Sequence, residues 1–409
     1  MSERRGGASA TAVAITGVGL HTAFGDTAAT MTALCEGRSG VRSYELEGAP
    51  GFGLFAAAPA PTPRPAEFLT DKKLVKYMSP ATAMAVTAAG RALDDAGLRA
   101  DAVHRAPMGL YVAAGLIAFD VAAVRDTLLA AKSDDGTLNL PRLGREGFKL
   151  CHPLMPFKLL TNMPLGLTSI GLELRGTNFI TYPDAGQAGV CLETAARNIA
   201  NGRLAGALAG GTAEWLSLMP LTTLARRDRL AKTPDAARTF VRGHAGWAPA
   251  NGASFVALET AAQAKARGAP IQATLERVHA GYCPDAGDRD ARRHARRHAW
   301  QMALGAAAPD LVLSSGNLDD DDDAAEQSDA RRAFGERCCV TSLDGLLGFA
   351  DAAAPLAAVG VAARLLCDRA TLPEHAKAAT KSPRTILVSV AHPDGGTLAA
   401  LLRRGAEST

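Results

Sequence analysis

Short apolar runs bounded by glycine alternate with segments whose apolar positions recur every three or four residues. That pattern predicts a chain alternating strand and helix. Residues 13–17 read as a first buried strand, and residues 27–37 as a helix with Met31 and Leu34 inward and Gly37 as its stop. The Pro- and Ala-rich residues 51–66 predict an irregular surface excursion. A helix is expected over 79–96, with Ser79 as cap, Pro80 in the first turn and Gly97 as terminator. Strands are expected at 108–114, 178–182, 204–210 and 254–258, then a helix at 261–267. The pattern is least regular between 120 and 182, with the character of an insert around 131–150. Gly268-Ala269-Pro270 breaks the chain, and the alternation begins again. Strands at 272–279, 311–314, 339–342, 384–390 and 397–402 interleave with helices at 290–304, 324–335 and 352–366. The expectation is α/β architecture in two similar halves, 10–268 and 269–405.

Composition narrows the function classes. The chain is 47% hydrophobic but only 5% aromatic, so its core is built from Ala, Val and Leu. A net charge of +3 is too small to make nucleic acid the main partner. No apolar run approaches the roughly 18 residues a membrane span needs. The apolar stretch 8–20 follows Arg4-Arg5 but carries Thr11, Thr16, Gly17 and Gly19, so it reads as a strand rather than an export signal. Seven Cys without metal-ligand spacing point to a reducing cytoplasm and no metal site.

Charge runs stand out in the second half. Asp319–Asp323 reads as a solvated loop. Residues 292–298 put basic side chains every four positions on one helix face, either a soluble surface or a dock for an acidic protein. His244, in an expected loop, and His294 and His298, on the basic helix, read as surface or supporting residues.

The segment 176–202 is the most informative. A short apolar strand runs into a Gly-rich turn over 183–189, and a helix carrying Ala195, Ala196 and Ile199 follows. Many α/β enzymes present a nucleophile in this way, where the backbone N–H groups of a helix N-terminus stabilise an anion. Here the turn offers Ala185, Gly186, Gln187 and Ala188, with no Cys or Ser. Cys191, behind the turn, reads as a small core residue.

Further segments join this one in a specific order. Gly37-Arg38-Ser39-Gly40-Val41, Ala209-Gly210-Gly211-Thr212-Ala213-Glu214, Gly246-Trp247-Ala248-Pro249-Ala250-Asn251-Gly252 and Gly395-Gly396-Thr397 each match a family motif at the expected spacing. Together the set resembles the ketosynthase branch of the thiolase fold, across roughly residues 12–404. The resemblance implies a thiolase-like fold, two similar halves in αβαβα layers. It also implies a chemistry. In such enzymes a Cys accepts an acyl group from a carrier protein, two His drive decarboxylation of the extender unit, and a Lys and a Glu support them.

Carried over position by position, that machinery is missing. The nucleophile position falls on Ala185, counted from either Gly176 or Gly202, with Gln187 as a secondary candidate because Gln187-Ala188-Gly189 resembles chain-length factors. The first His position holds Ser315; in the run 340–349 the Lys becomes Asp344 and the second His becomes Phe349. Glu326 matches the retained Glu, and the aromatic gate before Gly395 becomes His392-Pro393-Asp394. The resemblance therefore implies a chain-length factor of a type II polyketide or polyene system. Such a subunit is catalytically silent, pairs as a heterodimer with an active ketosynthase, and shapes a tunnel. Phe119 and Phe157 are the candidate tunnel residues. A carrier protein is the expected further partner, and its phosphopantetheine arm the only cofactor, on the partner's side. Two rivals stay open: an acyltransferase rebuilt around Ser315, and a homodimeric scaffold.

Overall fold

The computed structural model describes residues 12–48, 50–116, 121–305, 307–336, 338–373 and 382–405. In chain order the elements that matter are β1 (Val13–His21), α1 (Thr27–Cys35), β2 (Arg42–Tyr44), β3 (Phe55–Ala57), α2 (Pro80–Asp95), β4 (Gly109–Ala114), β5 (Asn178–Thr181), α3 (Ala185–Ala200), β6 (Gly206–Glu214) and β7 (Asn251–Thr260). There follow β8 (Ala273–Tyr282), α4 (Arg289–Leu304), β9 (Leu311–Ser315), α5 (Asp320–Phe334), β10 (Cys339–Ser342), α6 (Ala354–Asp368), β11 (Thr385–Ala391) and β12 (Gly396–Arg404).

Ten strands form one sheet in the order β10-β9-β11-β12-β8-β1-β7-β6-β4-β5. Strands after residue 269 occupy one side and earlier strands the other. They meet where β1 pairs with β8 over Val13↔Leu275, Ala14↔Thr274 and Ile15↔Ala273. Helix contacts define the layers. α2 packs on β1, β7 and β6; α4 packs on β12, β8 and β11; α3 and α6 lie between the two groups of strands. Residue types explain the placement. α6 is Ala- and Val-rich and buried all round, as an interior helix must be. Ser79 caps α2 through the Thr82 N–H, and Gly19 on β1 lets the two elements touch, since a Cβ there would overlap the Ala88 carbonyl.

The structure departs from the sequence reading at several points. The stretch 51–66, expected as an irregular surface excursion, holds β3, whose residues are fully buried and pair with β2. The Gly-rich turn expected over 183–189 is mostly helix: α3 opens at Ala185, because the Asp184 carboxylate accepts from the Gly186 and Gln187 N–H groups at 2.8 and 3.3 Å. Its glycines serve packing. A Cβ at Gly186 would sit 2.5 Å from the Gly396 Cα, and one at Gly189 3.1 Å from the Leu398 side chain.

The run Asp319–Asp323 is not a solvated loop either. Asp319 caps α5, and the rest forms its first turn, where acids oppose the helix dipole favourably. The basic face of α4 meets it. Arg289 binds Asp319 and Asp321 at 2.8 and 2.6 Å, and Arg293 holds the buried Asp329 through two 2.7 Å bonds. The basic helix and the acidic helix are therefore joined by ion pairs along one side of α4, with Arg292 reaching Asp322 at 3.4 Å, while His294, Arg297 and His298 stay exposed.

Candidate functional site

The end of β6, the turn after β10 and the start of β12 meet the N-terminus of α3, through Ala213, Phe349 and Gly396. Ala185 is fully buried there, in one apolar cluster with Ala213, Trp215, Trp247 and Phe349. Trp247 and Phe349 stack with centroids 4.0 Å apart and an interplanar angle of 17°. His392 extends the stack, 5.4 Å from Trp247 and 5.7 Å from Phe349. The Trp247 indole N–H is fixed by the Asn317 carbonyl at 2.7 Å. Rings thus fill the space beside Ala185. Gln187 lies half-buried two residues on, outside that cluster.

Ser315 ends β9 with its side chain buried. Its hydroxyl donates to the Asp344 carboxylate at 3.1 and 3.2 Å, and the Gly316 N–H donates to the same group at 2.9 Å. Burial pushes the Asp344 carboxyl up to about 6, against the pull of these hydrogen bonds. His244, expected at the surface, is buried and bonds Asp323 through Nδ1 at 2.9 Å. Glu326 is fully buried and anchors three elements: it accepts from Ser314 at 2.5 Å, Asn317 at 2.8 Å and Ser389 at 3.1 Å. A serine donating to a carboxylate, with no imidazole bonded to it, is a structural contact rather than an activated nucleophile. Cys191 is no substitute, because its thiol is fully buried and pushed up to about 12.

The sequence reading passed over one feature of this site. His392 and Asp351 are both buried, and His392 Nε2 lies 4.0 Å from Asp351 Oδ1 with neither atom hydrogen-bonded. The backbone N–H of Asp394 donates to His392 Nδ1 at 3.2 Å, which leaves the proton of the neutral ring on Nε2. Burial holds the imidazole down at about 4 and drives the Asp351 carboxyl well above its usual range. Asp351 adopts a left-handed φ of 42°, a strained backbone for any residue but glycine. At the rim, Arg227 and Arg229 clamp Asp394 at 2.9 and 3.1 Å. The available signal was Asp351 itself, a lone acid in the Ala-rich run 350–354.

Among the described residues no group of His, Cys, Asp and Glu is arranged to hold a metal. Phe119 lies outside the described residues. Phe157 is exposed and sits edge-on to Tyr77 at 5.8 Å. No helix among the described residues is long and apolar enough to cross a membrane.

The chain is similar to 3-oxoacyl-[acyl-carrier-protein] synthase 2 of Vibrio harveyi, 28% identical over 67% of this chain and 62% of that enzyme. It is 27% identical to 3-oxoacyl-[acyl-carrier-protein] synthase 1 of Escherichia coli K12, over 79% of this chain and 78% of the enzyme. Among solved structures, the ishigamide ketosynthase/chain length factor superposes with a TM-score of 0.76 at 20% identity, covering 97% of this chain and all of that one. A type II polyketide synthase acyl-carrier protein in complex with its ketosynthase gives 0.77 at 18% identity, with the same coverage. These likenesses show the thiolase-like α/β fold. The model of the family described as beta-ketoacyl synthase, N-terminal domain, matches residues 10–264. That span is more than half of the chain and takes in β1 through β7, and it shows that the protein belongs to the beta-ketoacyl synthase family.

Proposed function

We propose that this chain is a non-catalytic ketosynthase-like subunit that pairs with an active ketosynthase and shapes its acyl tunnel, as a chain-length factor does. One observation carries the reading: the helix N-terminus that should present a nucleophile presents Ala185, and a ring stack fills the space beside it. Among the described residues the imidazole beside it, His392, is buried in the ring stack and faces Asp351. The likeness to a ketosynthase/chain length factor supports the assignment.

Pairing has its own support. Among the described residues, β5 ends the sheet with one edge unpaired. The segment 121–170 leaves Leu128, Leu140, Phe148, Leu150, Phe157, Leu160 and Ile170 exposed, and residues 163–171 pack against β5. Large apolar surface rimmed by polar residues marks a protein interface. A partner strand added at β5 would extend the sheet and cover these side chains. Phe157 would then face the second chain.

Ser315 with Asp344 is the one constellation that favours a second reading, a rebuilt acyltransferase. Its burial and its lack of an imidazole rank it below. Co-expression with Cys-containing ketosynthases, followed by size-exclusion chromatography with light scattering, tests the proposal. A one-to-one complex is expected. A homodimer indifferent to every ketosynthase would favour the scaffold reading instead.

A further inference from the structure

We propose that the exposed apolar strip of residues 140–160 takes an acidic protein face, and that its charge bars a second copy of this chain. The inference rests on the pairing proposed for β5 and names the chemistry of the partner.

Two stretches build this surface. In residues 71–77, Leu74 and Tyr77 join one cluster with Met163 and Leu167, and the helix 163–171 packs against β5. Tyr77 also meets Phe157 edge-on at 5.8 Å, which brings the exposed stretch around Phe157 alongside.

The charge on these stretches is one-sided. Residues 71–77 and 142–160 carry seven Lys and Arg against two acids. Lys72, Lys73, Lys76, Arg145, Lys149 and Lys158 are exposed, and among the described residues none of their side chains has an acidic partner. Lys76 lies over the Tyr77 ring at 4.9 Å. The acids nearby are engaged: Glu146 by Arg142 at 3.4 Å, Asp126 by Arg125 at 3.1 Å and Glu173 by Arg105 at 2.7 Å. Asp71 accepts from the Lys73 N–H at 2.9 Å, as the cap of its turn. Asp134 and Asp135 are set against Lys132, next to them in the chain. The unpaired cations are interspersed with Phe148, Leu150, Phe157 and Leu160, all exposed.

In a two-fold pair both copies offer the same patch, so cations would face cations across the joint and oppose it. A partner whose matching face carries Asp and Glu gains steering and register from the same side chains, while the apolar residues supply the buried centre. Exposed charges act over about 10 Å at 0.1 M salt and about 3 Å at 1 M, so salt separates the two cases.

Analytical ultracentrifugation of the full chain, alone and with a Cys-containing ketosynthase, at about 0.1 and 1 M salt tests the proposal. Alone, the chain should stay monomeric at the lower salt. The mixed complex should weaken about tenfold or more at the higher salt. Joint replacement Lys72→Gln, Lys73→Gln, Lys149→Gln and Lys158→Gln changes exposed side chains only, so the fold should hold. It should loosen the mixed complex about tenfold at the lower salt and flatten the salt dependence. A stable homodimer of the unmodified chain at the lower salt, or capture by phosphatidylglycerol vesicles in place of the ketosynthase, would overturn the proposal. A mixed complex indifferent to salt and to the replacement removes the acidic partner and leaves the pairing standing. If no ketosynthase binds, the pairing itself fails, and the acidic partner with it.

Discussion

Asp344 and His392 make the site pH-sensitive in opposite directions. The folded pKa of Asp344, about 6, is above the unfolded value of about 3.9. Its contribution is therefore fully present below pH 4 and is lost as pH rises through 6. Asp344→Asn should stabilise the protein by roughly 2–3 kcal/mol at pH 8 and by almost nothing at pH 4, as urea unfolding at the two pH values would show. His392 carries the reverse sign. Burial depresses it to about 4, among Asp184, Asp351, Asp394, Arg227 and Arg229, so its contribution is present above pH 6.5 and fades as pH falls toward 4. His392→Phe keeps a ring in the stack and should flatten the stability profile between pH 6.5 and 4. Trp247→Ala should cost about 3–5 kcal/mol, because it leaves a hole against Phe349 and frees the Asn317 carbonyl. The positions Ala185, Ser315, Asp344 and Phe349 could be counted in the sequence because each sits at a fixed distance from a glycine or strand landmark. The His392–Asp351 approach was not, since it joins two loops that the sequence pattern does not relate.

At the scale of elements, strand and helix order was legible because apolar periodicity and glycine stops mark it, as for α2 between Ser79 and Gly97. The fate of the charged runs was not. The basic stripe of α4 looks like a free surface until α5 is laid beside it, and Asp319–Asp323 looks like a loop until Arg289 and Arg292 neutralise it. The elbow shows the same limit, since Gly186 and Gly189 are needed by β12 packing that no local pattern reveals. Arg293→Gln should cost about 2–4 kcal/mol by stranding the buried Asp329 carboxylate. Adding Asp329→Asn should recover part of that loss, a coupling that a double-mutant cycle in urea measures directly.

Across the whole molecule, the chain has the family's fold, and the proposal holds that the chemistry at the α3 entry has gone. Trp247, Phe349 and a buried His392–Asp351 pair occupy it. What remains available is the β5 edge and the apolar strip beside it. Leu150→Asp with Phe157→Asp should abolish co-purification with a ketosynthase, while the stability of the lone chain stays within about 0.5 kcal/mol, because both side chains are exposed. The central claim is that this chain forms no bond to an acyl group. Intact-mass spectrometry after incubation with an acyl-loaded carrier protein, for this chain alone and with a ketosynthase, addresses it directly. The account predicts an acyl adduct on the ketosynthase and an unchanged mass for this chain; a stable acyl adduct on this chain alone would contradict it.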